Sequence, residues 1–306
     1  MAEKFDVAVV GGGIAGLTAA HHAGLGGCHV VHIMGTEAMG GLVCNVGELH
    51  GFPAEVEPVS GIGLAAALSG SNAELDVEQV FAEATSITRD GTHFSIATSE
   101  GKIPARQVIV ATGARLRMLE VPGAETLLGR GISQCAWCDG VLYKGREVVV
   151  VGGGDAALEE ALHLADHADK ITVVTHGDGL RARQSYIDRI ADLPSVSVRL
   201  MSDVTEILGG DSVEAIRLHD HTRGEAVQIQ CDGVFVFIGL RPNGSVIEGI
   251  AAFDSAGAAL TSEAMQTKTP GLFAIGAVRS GYRGRLVHAV ADGATAAMEA
   301  VANISA

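Results

Sequence analysis

Aromatic side chains are scarce, at 4% of the 306 residues, although hydrophobic residues at 47% allow a large core. Positive charge is also short. The 21 Lys and Arg face 36 Asp and Glu, and the net charge of -15 argues against nucleic acid or an anionic membrane surface as the main partner. That balance fits a cytoplasmic protein, or one that docks a basic partner. No apolar run reaches the roughly 18 residues of a membrane span, so no membrane partner is expected. The first ten residues are too short and too acidic for a signal peptide and read as a strand. Cysteine is limited to Cys28, Cys44, Cys135, Cys138 and Cys231. An odd count with one close pair is no secreted disulfide framework and points to a reducing compartment.

Glycine, by contrast, is abundant, and much of it sits where strands turn into helices. Val7-Val10 is an apolar strand, Gly11-Gly-Gly-Ile-Ala-Gly16 a turn, and an alanine-rich helix runs on to about Ala23. A second strand covers Cys28-Met34. In this G-x-G-x-x-G, Gly11 permits the tight turn, Gly13 lets the backbone approach a pyrophosphate, and Gly16 lets the helix pack on the strand. Near the end of the second strand a ribose would meet an acidic residue, and only Glu37 lies close. The histidines of the first helix, His21 and His22, read as packing or surface residues.

The pattern recurs. Glu147-Val151 is a strand and Gly152-Gly-Gly-Asp-Ala-Ala157 a G-x-G-x-x-A turn, with Gly152, Gly154 and Ala157 at the fingerprint positions. A helix to about His167 and a strand over Ile171-Thr175 follow. An acid at that strand end would favour NAD and a pair of arginines NADP. Neither is present, although Arg181 and Arg183 stand within reach of a phosphate. Further strands are expected at His93-Ile96, Gln107-Val110, Val196-Leu200, Ile216-Leu218, Gly233-Ile238 and Gly271-Ile275. Helices are expected over Gly61-Leu68 and Val287-Asn303. The abrupt strand ends at Val110-Ala114 and Phe237-Pro242 read as crossings. The expected fold is therefore α/β, with two Rossmann-like dinucleotide-binding domains and the second inserted into the first. Residues 1-112 and 241-306 form one domain and 113-240 the other.

Cys135-Ala-Trp-Cys138-Asp139-Gly140 precedes the second glycine turn. Two thiols at this spacing can close a small disulfide ring that exchanges readily, with Asp139 placed to move a proton to or from a departing thiol. Zinc would need two further ligands, and the remaining cysteines offer no second pair. Cys28 and Cys231 read as buried apolar residues. Cys44 follows Gly40-Gly41 and is either a small core residue or a neighbour of the first cofactor. Trp137 serves docking, shielding or plain packing.

Together with Phe52-Pro53, Ala111-Thr112-Gly113, Gly129-Arg-Gly131 and Thr269-Ala274, these motifs resemble the low-molecular-weight thioredoxin reductases over nearly the whole chain. The resemblance implies FAD on the first domain, NADPH or NADH on the inserted one, and a homodimer whose inserted domain swivels. It implies that Cys138 faces the flavin, that Cys135 exchanges with substrate, and that Arg130 docks the partner. It places Gly41, Thr112, Gly113, Gly276, Ala277, Arg285 and Leu286 at the flavin, and His176 and Arg181 at the nicotinamide dinucleotide. Three departures stand out. The family's His-Arg-Arg is Thr175-His176-Gly177 here. Its Gly-Asp, whose carboxylate holds the flavin ribitol, is Gly276-Ala277. Its Arg-Gln is Arg285-Leu286, with His288 close by and no role to assign to it.

The implied function is an FAD-dependent thiol-disulfide oxidoreductase passing electrons from NAD(P)H to a thioredoxin-like protein. Two variants use the same parts: a small-molecule dithiol oxidase that reoxidises with oxygen, like the gliotoxin and holomycin enzymes, and a reductase fed by ferredoxin. A redox sensor without catalysis is a third class, against which the retained thiols and Asp139 argue.

Overall fold

A computed structural model describes residues 5–36, 39–49 and 59–305. Glu37 and Phe52-Pro53 lie outside the described residues. From the amino end the elements are β1 (Phe5–Val10), α1 (Ile14–Leu25), β2 (Val30–Ile33), α2 (Gly61–Asn72), β3 (Val77–Val80), β4 (Ala84–Asp90), β5 (His93–Thr98) and β6 (Gly101–Val110). After β7 (Ala114–Leu116) come β8 (Ile132–Ser133), α3 (Ala136–Asp139), β9 (Glu147–Val151), α4 (Asp155–Leu164), β10 (Lys170–Val174) and α5 (Gln184–Ala191). Then follow β11 (Val196–Arg199), β12 (Ser202–Gly209), β13 (Val213–Asp220), β14 (Glu225–Gln230) and β15 (Gly233–Val236). The chain finishes with β16 (Leu240–Pro242), β17 (Leu272–Ala274) and α6 (Leu286–Ser305). It divides into two compact units, Leu116–Leu240 and the segments on either side of it.

In the outer unit, β3, β2, β1 and β6 run parallel, and β17 joins β6 in the same sense. The early part of the ten-residue β6 continues the sheet into the antiparallel pair β5 and β4. Both faces of this parallel sheet are covered, which is why Val7-Val10 is apolar throughout and wholly buried. Alternate residues then serve different cores. Val7 and Val9 pack with α1 and α6, while Ala8 and Val10 pack with Phe94, Ile96 and Ile247. The helix expected over Gly61-Leu68 runs on to Asn72, and Ser60 caps it by accepting the Gly63 N–H at 3.0 Å.

The inner unit repeats the plan as an all-parallel sheet ordered β11-β10-β9-β15-β8. Val148 and Val150 face a core with α4 and α5, and Val149 and Val151 face one with Ile207, Ile216 and Leu218. Beside it lies an antiparallel sheet, β12-β13-β14, of which only Ile216-Leu218 is evident in the sequence. Its strands alternate buried and exposed residues, so they contain no apolar run to mark them. The two crossings pair as a two-stranded ribbon of β7 and β16. Among the described residues, no helix is long and apolar enough to cross a membrane.

Candidate active site

The first glycine turn shows why each of its glycines is needed. Gly11 has a φ of +121°, and a Cβ there would stand 2.2 Å from Ala111 O. A Cβ on Gly16 would meet Gly11 O at 2.0 Å, so α1 packs directly on the turn. At Gly13 the space is open, with only Gly40 O at 3.8 Å. Gly13 is the N-cap of α1 and supplies no side-chain cap, leaving the first-turn N–H groups for a ligand. His32 is fully buried, and burial lowers its pKa to about 4. The ring is therefore neutral, and its Nε2–H donates to Gly11 O at 2.9 Å, holding the turn in place. These features fit the pyrophosphate of FAD.

Gly41 and Gly276, which the resemblance places at the flavin, border the start of α1. Gly41, at a φ of +63°, would bring a Cβ within 3.6 Å of the Gly13 Cα. Thr112 and Gly113 are bound to Asn243. The Thr112 hydroxyl donates to Asn243 O at 2.7 Å, Asn243 Nδ2 donates to Thr112 O at 3.1 Å, and Asn243 N donates to Gly113 O at 3.0 Å. Gly276 is left-handed at +67° and its turn abuts α1. Ala277 adjoins it, Arg285 is exposed just before α6, and Leu286 opens that helix. His288 sits edge-on to Tyr282, with its Nδ1 buried.

Cys135 and Cys138 are joined in a disulfide. Cys135 is 8% exposed and is the N-cap of α3, its Sγ accepting the Cys138 N–H at 3.1 Å. A thiolate at this position keeps that N–H as a donor, so opening the ring leaves the Cys135 charge hydrogen-bonded. Cys138 is the exposed partner. Asp139 Oδ2 accepts the Ser133 hydroxyl at 2.6 Å, and Ser133 Oγ accepts the Cys135 N–H at 3.1 Å. Ser133 thus ties the Asp139 carboxylate to the backbone at Cys135. The other three cysteines are free thiols. Burial raises the pKa of Cys28 and Cys44, and burial with Asp232 and Glu147 pushes Cys231 up to about 12. Cys44 donates to Met39 O at 3.0 Å, a packing role beside the first turn. Trp137 is 45% exposed and stacks on His163 at 3.9 Å.

Glu160 comes from α4 to accept the Ala136 N–H at 2.6 Å, between the two cysteines. Burial pushes its carboxyl up to about 7; the Ala136 bond pulls it down and Glu159 adds to the rise. The protonated form is the one the fold prefers. Its contribution to stability is complete below the ordinary carboxylate range and is lost as pH rises through about 7. Glu160→Gln, neutral at every pH, is therefore expected to gain on the wild type by roughly 2 kcal/mol between pH 5 and pH 8. Thermal melts of the oxidised proteins at the two pH values measure it. A constant gap would show the carboxylate to be solvated.

The second glycine turn is built like the first. A Cβ on Gly152 would meet Phe237 O at 2.2 Å and the Ala157 Cβ at 3.0 Å, while nothing lies within 4 Å of one on Gly154. Arg181 N donates to Gly153 O at 2.7 Å, folding the following loop across the turn with the Arg181 residue exposed. His176 is exposed at the end of β10. Arg183 is committed within the chain. Its N–H donates to Asp155 Oδ1 at 2.7 Å, its Nε pairs with Asp155 Oδ2 at 3.0 Å, and its guanidinium lies 4.3 Å from the Tyr186 ring centroid.

Two dinucleotide folds, one carrying a disulfide with a carboxylate next to it in the chain, define a redox protein that moves electron pairs between a bound dinucleotide and thiols. The chain belongs to the pyridine nucleotide-disulphide oxidoreductase family, whose model matches residues 5–293. It is 34% identical over 304 residues to the thioredoxin reductase of Treponema pallidum, covering 99% of this chain and 98% of that protein. It superposes on Lactococcus lactis thioredoxin reductase with a TM-score of 0.95 at 32% identity, covering 99% of both chains. On the thioredoxin reductase of T. acidophilum it superposes with a TM-score of 0.93 at 29% identity, again over 99% of both chains. The protein is an FAD-dependent disulfide oxidoreductase of thioredoxin reductase-like architecture.

Proposed function

We propose that this enzyme takes electrons from a reduced nicotinamide dinucleotide and delivers them through Cys135 and Cys138 to the disulfide of a thioredoxin-like protein. The observation that carries this reading is the joined pair with Asp139 tied through Ser133 to the Cys135 backbone, on a unit whose own glycine turn is open at Gly154. Bound FAD supplies the two-electron relay between nicotinamide and sulfur. The chain's residues manage the rest. Gly11, Gly13 and Gly16 with α1 hold the flavin pyrophosphate. Gly152, Gly154 and Ala157 with α4 receive the nicotinamide dinucleotide, and Arg181 and His176 flank its ribose. When the pair of electrons enters the disulfide, the S–S bond breaks. One sulfur keeps its charge under the α3 cap, and the other takes a proton from Asp139. The resulting dithiol reduces a partner disulfide by exchange, Arg130 lying exposed on the same unit for docking. A homodimer in the cytoplasm completes the reading.

A second direction is favoured by one observation. Thr175-His176-Gly177 offers no arginine pair, and Arg183 is bound to Asp155 and Tyr186. With the nicotinamide end so weakened, the protein would oxidise a small dithiol and return the electrons to oxygen. The two are separated anaerobically by mixing the yellow protein with NADPH, NADH or a dithiol and following loss of flavin absorbance. Rapid bleaching by NADPH or NADH supports the reductase. Bleaching by dithiol alone, followed by oxygen uptake in air, overturns it in favour of the oxidase.

A further inference from the structure

Asp292, in α6, is a carboxylate only 3% exposed. Its Oδ2 accepts the Gly276 N–H at 3.0 Å and the Arg279 Nε–H at 2.6 Å, and its Oδ1 accepts the Arg279 Nη2–H at 2.8 Å. Arg279 Nη1 donates onward to Ser280 O at 2.9 Å. The pair is a bidentate fork, and its third bond goes to a backbone donor in a turn.

That turn is placed against the start of α1. A Cβ on Gly276 would stand 3.0 Å from the Ala15 Cβ, and one on Gly293, next to Asp292, would stand 2.6 Å from Ala15 O. Ala15, in the first turn of α1, is thus packed between two glycines that the Asp292 carboxylate links. The same first turn presents the N–H groups that suit a pyrophosphate. Ala277, beside Gly276, has no polar side chain to offer the flavin.

We infer that the buried Arg279–Asp292 pair is a positioning device for the flavin. It holds the Gly276–Val278 turn against α1 through the backbone, in place of the side-chain carboxylate that Ala277 lacks. The inference rests on flavin binding by the outer unit. A buried ion pair is weak evidence for stability alone, since well-packed apolar residues often serve as well. Here the pair also anchors a backbone N–H of a left-handed turn at the cofactor cradle, a task apolar side chains cannot perform.

The test strips the flavin, titrates the apoprotein with FAD, and reads the quenching of flavin fluorescence, with melting of each apoprotein alongside. Asp292→Asn removes the charge and one acceptor, and its Kd for FAD is expected to rise at least ~10-fold. Arg279→Lys keeps the charge pair without the fork and is expected to show a smaller rise. Adding Ala277→Asp to either variant supplies a carboxylate at the turn and is expected to recover most of the affinity without recovering the melting temperature. If Asp292→Asn does not fold, Arg279→Lys with and without Ala277→Asp makes the same comparison. A Kd within twofold of wild type in the folded variant, or a loss that Ala277→Asp leaves untouched, overturns the inference. Failure of the wild-type apoprotein to take up FAD would instead overturn the flavin reading on which it rests.

Discussion

Replacing Cys138 by serine is expected to abolish flavin bleaching by dithiols and to lower disulfide exchange by roughly three orders of magnitude or more. The reason is chemical rather than structural. Cys135 would remain as a single, buried thiol capping α3, and the cap survives because residue 138 still supplies its N–H. A mixed disulfide formed on one sulfur then has no neighbouring thiolate to resolve it. Anaerobic dithiol titration of the flavin measures the effect, and melting under reducing conditions checks that the fold is kept. Persistent bleaching by dithiol would show that electrons reach the flavin without this pair.

Asp139→Asn is expected to slow reduction of the Cys135–Cys138 disulfide about 100-fold, the usual weight of a positioned proton donor. Asparagine still accepts the Ser133 hydroxyl, so the 2.6 Å contact and the local fold can persist while the transferable proton is lost. Breaking the S–S bond with two electrons leaves two sulfurs, of which α3 stabilises one as thiolate. The other must be protonated as it departs, and water has to replace the carboxyl in the variant. Stopped-flow reduction of the oxidised enzyme across pH separates the two. A rate within twofold of wild type would assign the proton to another group, with Glu160 on the Ala136 N–H as the first to examine.

Both glycine turns are legible in the sequence because their requirements are local. Gly11 at +121° and Gly152 at +141° need a backbone that other residues rarely adopt, and both are followed by open cradle positions. The redox pair is legible for the same reason, since three residues of separation suffice to close the ring. Gln184–Ala191 is too short and polar to show as a helix, and β12 and β14 escape notice because alternating exposure hides them. Arg183 reads in the sequence as available to a phosphate, but Asp155, 28 residues earlier, has taken it.

The sequence by itself determined the two βαβ units, the insertion between two crossings, and the thiol pair with its adjoining carboxylate. Each follows from neighbouring residues and backbone conformational preference. The tertiary structure decided what surrounds them. Only the packing of α4 beneath α3 brings Glu160 to Ala136, and only the approach of α6 to α1 through Gly293 delivers Asp292 to Gly276 and Arg279. Those contacts depend on how buried faces meet across long sequence separations, and a buried carboxylate reveals its role only once its partners are in place.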